Sequence, residues 1–309
     1  MRRIVVLMAL VTVGTWSMAT LQGAPEKLVR GIQKVRDNLY FISGGDIYEV
    51  GRGSYTGGNS AVFVTDAGVV VIDTMNRGNG AGILEQIRSV TKKPVTMILH
   101  THTHGDHTGS DTEFPMPVEL VTQENIAAQL SQETCAPVTN CDAFKGANAQ
   151  YLPKRTFKDR MTIGSGKDQI DLYYFGRGHT NGDTFVVFPA VRAMHAGDMF
   201  QQKNMPFVDT ANGYGSASEF AATLTKALNG IQNVDYVIGG HTPTVYTWPD
   251  FKDFVDFYND FYTRVKDGQQ AGKTAAQVAS DYRVPARYNG YFADPGRVKD
   301  NAQAIFDGE

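Results

Sequence analysis

The chain has 309 residues, of which 42% are hydrophobic and 20% charged, with no low-complexity linker or internal repeat; it is long and apolar enough to bury a sizeable core. Its 29 basic residues against 32 acidic ones leave a formal net charge of −3. That balance argues against a polyanion binder, and so against nucleic acid as a partner.

At the start, Arg2 and Arg3 precede an apolar run of about a dozen residues and then Ser17-Met18-Ala19, the small-x-small pattern of a cleavage site. Residues 1–19 are expected to be a secretory signal peptide. The run falls short of the ~20 apolar residues that span a bilayer, so no stable membrane anchor is expected after cleavage. The mature protein is expected to be periplasmic or secreted. Removing 1–19 takes two of the 29 basic residues and none of the acidic ones, moving the net charge from −3 to −5. A single domain is expected over residues 20–309.

Residues 44–60, GGDIYEVGRGSYTGGNS, read as a mobile loop between the first strands; they lack the GxxxxGK[ST] pattern of a phosphate cradle. GVVVID then reads as a buried strand that delivers Asp73 and Thr74 to a loop, and VTMIL as one that delivers HTHTHGDHTG, residues 100–109. That segment holds four of the seven histidines, with His-x-His-x-Asp-His at His102, His104, Asp106 and His107. Imidazole and carboxylate are the nitrogen and oxygen ligands of a borderline divalent ion such as Zn²⁺. On a strand-like loop, residues two apart share a side. His102 and His104 can therefore converge on one ion, while Asp106 and His107, past Gly105, reach a second.

Further along, NIAAQLSQ reads as a helix, followed by the turn-rich QETCAPVTNCDAF. In an exported chain, Cys135 and Cys141 are expected to pair in a disulfide closing a small loop. A strand is expected near Phe157 to Ile163. IDLYYFG, VRAMHAG and VDYVIGG read as strands that end at Gly-containing turns bearing His179, Asp198 and His241. SASEFAATLTKALNGI and PDFKDFVDFYNDFYTRVKD read as amphipathic helices. The second starts on Thr247, Pro249 and Asp250 and carries Phe251, Phe254, Tyr258 and Phe261 as a face that packs on a sheet. His100, in the strand before the cluster, and His195, three residues before Asp198, read as hydrogen-bonded neighbours of ligands rather than as ligands.

These five dispersed motifs, in this order, resemble those of the metallo-β-lactamase fold superfamily of metallohydrolases, over most of the chain after about residue 30. The resemblance implies an α+β fold, a four-layer αβ/βα sandwich of two mixed β-sheets flanked by helices. It implies that His102, His104 and His179 hold one metal and Asp106, His107 and His241 a second, with Asp198 bridging and Asp73 supporting the metal loop. Residues 131–155 become a candidate lid over the site. Two Zn²⁺ are the expected cofactors, with iron or manganese open in their place.

The intact Asp198, with no cysteine there, resembles the glyoxalase-like and lactonase-like branches, whereas export is typical of β-lactam-hydrolysing members. The expected activity is that of an exported dinuclear zinc hydrolase. In it a metal-bound hydroxide, oriented by Asp106, attacks the carbonyl of a small-molecule cyclic amide or ester of β-lactam or lactone type. The alternatives are a thioesterase of glyoxalase type and an iron-dependent redox enzyme of the persulfide dioxygenase kind. No basic-plus-tyrosine motif near the carboxyl end favours the thioesterase.

Overall fold

A computed structural model describes residues 29–49, 51 and 54–309. The leader expected over residues 1–19 lies outside the described residues. Two mixed sheets pack face to face. The first runs in sequence order through β1 (Gln33–Arg36), β2 (Leu39–Ile42), β3 (Ser60–Val64), β4 (Val69–Ile72), β5 (Val95–Leu99), β6 (Glu119–Gln123) and β7 (Arg155–Phe157). Its first four strands are antiparallel neighbours, and β4 to β7 are parallel. The second contains β8 (Arg160–Ile163), β9 (Ile170–Tyr173), β10 (Phe185–Phe188), β11 (Ala193–Gly197), β12 (Tyr236–Gly239) and β13 (Val245–Thr247), with β11 and β12 parallel.

Three apolar layers follow from strands buried on both faces. Between the sheets, Phe41, Phe63, Ile72 and Leu99 meet Leu172, Val186, Phe188 and Ile238, and the Phe63 and Phe188 rings lie 4.9 Å apart. The outer face of the first sheet is covered by α1 (Gly80–Val90) and α3 (Glu124–Leu130) through Ile83, Ile87, Ile126 and Leu130. The outer face of the second is covered by α4 (Ala217–Gly230), α5 (Trp248–Gln270), α6 (Ala275–Asp281) and α7 (Pro295–Asp307). The four-layer sandwich expected from the sequence is the observed one. Among the described residues no helix is long and apolar enough to cross a membrane.

The start of α5 shows why local sequence is legible here. The Thr247 side chain accepts from Asp250 N–H and Asp250 answers the Thr247 N–H, a closed capping box with Pro249 in the first turn. Phe251, Phe254, Tyr258 and Phe261 are all fully buried against the second sheet and its other helices.

The run from Phe157 to Ile163 differs from the single strand expected. It is divided at Lys158 and Asp159 between β7, the edge of the first sheet, and β8, the edge of the second. Both charged residues are exposed, since a crossover carrying them costs least in water. A backbone bond from Tyr174 N to Asp159 O, 2.8 Å, fixes the crossing.

The carboxyl ends of β4, β5, β9, β11 and β12 and the loops after them meet at one edge of the sandwich. A four-residue helix, α2 (Gly105–Thr108), lies in the loop after β5.

Candidate metal centre

Each polar residue singled out in the sequence is carried to this edge by the strand before it. Asp73 ends β4 with a left-handed backbone (φ 61°), which turns its carboxylate back toward the β5 loop. His104 caps α2, so that Asp106 and His107 project from its single turn. His179 comes from the loop after β9, Asp198 from the turn after β11 and His241 from the turn after β12. One ligand atom from each of His102, His104 and His179 lies within 4.8 Å of the others, and the same holds for His102, His107 and Asp198 and for Asp106, His107 and His241. Because His102 and His107 are each shared between two groups, the seven residues form one continuous cluster.

Outer hydrogen bonds fix which atom of each residue faces inward. His107 Nδ1 donates to Asp73 Oδ2 (2.7 Å), leaving Nε2 for the centre. His179 Nδ1 donates to Phe207 O (2.7 Å), and His104 Nε2 to Asp209 Oδ2 (2.9 Å). Thr101 Oγ1 donates to Asp73 Oδ2 (2.6 Å), so its oxygen accepts from His102 Nδ1 at 3.0 Å. Partners of this kind set the tautomer and raise the basicity of the inward nitrogen.

The inward atoms fit a cation. His179 Nε2 faces His104 Nδ1 at 3.0 Å and His107 Nε2 faces His241 Nε2 at 3.3 Å. The first is an acceptor-to-acceptor contact unless something positive lies between; at the second, burial works to lower His107 but Asp198, Asp106 and Asp73 outweigh it, so that Nε2 attracts a cation, a proton or a metal ion alike. His102 Nε2 and Asp198 Oδ1 are buried with no hydrogen-bond partner. Burial, reinforced by neighbouring imidazoles, pushes His102 well below the usual histidine range and His179 down to about 4, so both hold free lone pairs at neutral pH. Burial works to raise the Asp198 carboxyl, but His241, His107 and His179 outweigh it and keep Asp198 ionised. Two glycines make the room: a Cβ on Gly58 would lie 2.1 Å from the His107 ring, and one on Gly240 1.9 Å from Asp198 Oδ1.

Asp73, His100 and His195 stand outside this cluster. The Asp73 carboxylate accepts from Thr101 N–H (2.8 Å), Thr101 Oγ1 and His107. His100 binds Asp111 at 3.0 Å, and Asp111 in turn accepts from Thr74 Oγ1 at 2.7 Å. His195 accepts from Gly197 N–H (3.0 Å) and faces Asn59 O at 3.1 Å, tying the Asp198 turn to the loop before β3.

A family model of the metallo-beta-lactamase superfamily matches residues 54–241, more than half of the chain and a range that holds all seven cluster residues. The chain belongs to the metallo-β-lactamase superfamily. It is similar to the metallo-beta-lactamase type 2 of Elizabethkingia meningoseptica, 27% identical over 68% of this chain and 78% of that one. It is also similar to the 2,4-dinitroanisole O-demethylase subunit alpha of Nocardioides sp. (strain JS1661), 26% identical over 43% of this chain and 38% of the relative. Among solved structures, a metallo-beta-lactamase from Pontibacter korlensis superposes with a TM-score of 0.60 at 20% identity, over 74% of this chain and 98% of that one. The stereoselective inverting sec-alkylsulfatase from Pseudomonas sp. gives 0.70 at 15% identity over 90% of this chain, which spans half of that protein. As a member of the metallo-β-lactamase superfamily, the chain is a metal-dependent hydrolase.

Above the candidate metal centre of this superfamily member lies a cavity of about 540 Å³, walled by Tyr55, Arg77, Val138, Gln201, Phe207 and Arg297 besides His104, Asp106, His179, Asp198 and His241. Gln201 Nε2 donates to Asp198 Oδ2. Arg297, on α7, donates through Nη1 to Gln201 Oε1 (3.1 Å) and Met205 O (3.0 Å). Among the described residues it pairs with no carboxylate. Cys135 and Cys141 are joined in a disulfide. The loop it closes forms one cavity wall, from Pro137 to Asn140, and Val138 O accepts from Gly105 N–H at 2.8 Å. Sequence reasoning missed Tyr55, Asp209, Gln201 and Arg297. None sits in a motif, and each becomes visible only once the loops are brought together.

Proposed function

We propose that the chain is an exported dinuclear zinc hydrolase of cyclic amides or esters, with a β-lactam or lactone as substrate. The observation that carries this reading is the seven-residue cluster, with its buried and unpartnered His102 Nε2 and Asp198 Oδ1, five of whose members (His104, Asp106, His179, Asp198 and His241) line a cavity large enough for a small molecule. His102, His104 and His179 would hold one ion and Asp106, His107 and His241 the other, with Asp198 between them. Iron in these positions would suit the redox alternative. Two zinc ions bound there supply an acidified water and Lewis-acid polarisation of the carbonyl.

The protein's own groups do the rest. Asp106, only partly exposed at the cavity floor, orients the nucleophilic water. Asp73, Asp209 and the Phe207 carbonyl keep the imidazoles in ligand tautomers. Phe207 offers an apolar wall. Arg297, lacking a carboxylate partner, suits a substrate that carries an anionic group away from the reacting bond, because its Nε and Nη2 N–H groups remain for a bidentate acceptor. A β-lactam with its carboxylate fits this better than a neutral lactone does.

Export is supported by the expected leader over 1–19 and by the disulfide, which persists in an oxidising compartment. The position of the loop at Pro137–Asn140 supports residues 131–155 as a lid. Elemental analysis of protein purified without added metal, followed by hydrolysis of a chromogenic cephalosporin, an acyl lactone, a thioester and a secondary alkyl sulfate, tests the reading. Two equivalents of zinc with turnover of the cephalosporin or lactone are expected. Inertness of zinc-loaded protein toward both would refute it, and iron with oxygen consumption would favour the redox alternative.

A further inference from the structure

The segment Tyr55–Asn59 touches every residue assigned above to the second metal. Gly58 N–H donates to Asp106 O (2.8 Å) and Asn59 N–H to Gly240 O (2.7 Å), so the segment is stitched on one side to the loop after β5 and on the other to the turn bearing His241. Asn59 Nδ2 reinforces the second seam through Gly239 O (2.8 Å) and Thr242 O (2.7 Å). Gly58 sits so close to the His107 ring that a Cβ there would lie 2.1 Å from it. The half-buried Tyr55 closes the arrangement. Its hydroxyl donates to Asp106 Oδ2 at 2.7 Å and lies 3.3 Å from His241 Nδ1, while its ring stacks on the His241 ring at 6.0 Å.

A phenol has one proton. With that proton on the carboxylate, the contact to His241 is satisfied only by Nδ1–H donating to the phenol oxygen. The chain of bonds His241 Nδ1–H to Tyr55 O–H to Asp106 Oδ2 thus leaves His241 Nε2 free as a ligand atom and holds Asp106 with Oδ2 3.6 Å from that nitrogen, its second lone pair unused. None of the hydrogen bonds that orient His102, His104 or His179 involves this segment; they run to Thr101, Asp209 and Phe207.

Resting on the two-metal reading above, we propose that Tyr55 is the positioning residue of the second metal site alone, selecting the His241 tautomer and the Asp106 rotamer together, and that Asp209 plays the corresponding part for the first. Zinc titration of metal-free protein against a chromophoric chelator tests this in the wild type, Tyr55→Phe and Asp209→Asn. The phenylalanine keeps the ring stack and removes only the hydroxyl. Wild type is expected to bind two equivalents, and Tyr55→Phe to keep one unchanged while the affinity of the other falls roughly 10- to 100-fold. In cobalt-loaded protein the visible absorption of one site is lost at low metal while the other is retained. Asp209→Asn is expected to weaken the complementary equivalent, with a different residual cobalt spectrum. Metal-free Tyr55→Phe is expected to stay folded, its unfolding midpoint lowered only by the loss of the hydrogen bond to Asp106. Two wild-type-like equivalents in Tyr55→Phe, or the same residual spectrum in both variants, overturn the assignment while leaving the dinuclear centre intact. A wild type that takes up one equivalent refutes the two-metal reading and the assignment with it.

Discussion

Asp73→Asn isolates the part played by the carboxylate beneath the centre. Asparagine keeps the shape and tolerates the left-handed backbone at this position (φ 61°), so charge and acceptor count are what change. Asp73 accepts from three buried donors, at 2.8 Å, 2.6 Å and 2.7 Å. The new amide can still accept from Thr101 N–H, and the Thr101 hydroxyl can rotate. Its NH₂ group, however, then faces His107 Nδ1, which must give up its proton and accept. That moves the His107 proton to Nε2, the atom turned toward Asp198 at 3.3 Å, and so removes His107 as a ligand. Hydrogen bonds to a charged partner are worth about 1.5–3 kcal/mol, so metal-free protein should lose roughly 2–3 kcal/mol of a total of order 5–15 kcal/mol. Affinity for one metal should fall about 10- to 100-fold. Urea unfolding of metal-free protein and zinc titration of the folded chain read the two effects separately. Wild-type binding of both equivalents by Asp73→Asn would show that the carboxylate does not set the His107 tautomer.

Arg297→Met should lower kcat/KM on a penicillin with a free carboxylate by roughly 10- to 100-fold, the worth of one charge-assisted bond, with most of the loss in KM. Its methyl ester should be cleaved within about twofold of wild type, and equal losses on both would mean that Arg297 acts only through Gln201 and Asp198. Thr247→Ala opens the capping box of α5 and should cost about 1 kcal/mol in thermal unfolding with metal content unchanged; an unaltered melting temperature would show the cap to be redundant. Cys135→Ser combined with Cys141→Ser releases a loop closed over a sequence separation of 6, expected to cost about 2 kcal/mol and to alter the ratio of cephalosporin to lactone turnover. An unchanged ratio would remove the case for a lid.

The candidate metal cluster was legible in the sequence because its residues are local: four lie within six residues, and the others each follow an apolar strand and precede or accompany a glycine. Asp73 was legible for the same reason, as the polar end of an unbroken apolar run. Tyr55 was not, because it lies in a glycine-rich segment with no periodicity, read as a mobile loop, yet hydrogen bonds to two distant loops pin it in place. Arg297 belongs to a terminal helix whose pattern says only that one face is apolar; that its other side reaches Gln201, 96 positions earlier, depends on how α7 packs. The break at Lys158 and Asp159 was hidden because Phe157 before it and Met161 and Ile163 after it read as one alternating strand, and pairing with β6 and β9 decided it.

The candidate ligands are shared between the two halves of the sandwich. His102, His104, Asp106 and His107 follow β5 of the first sheet, whereas His179, Asp198 and His241 follow β9, β11 and β12 of the second. Ions bound there would be a cross-link between the two halves, present only in the native state. At a free concentration a hundredfold above its Kd, each would add about 2.7 kcal/mol to the cohesion of the fold. Metal supply would then bear on the integrity of the fold as well as on turnover: without the ions, the two sheets would be held at this edge by hydrogen bonds alone, and elsewhere by the apolar layer around Phe63 and Phe188.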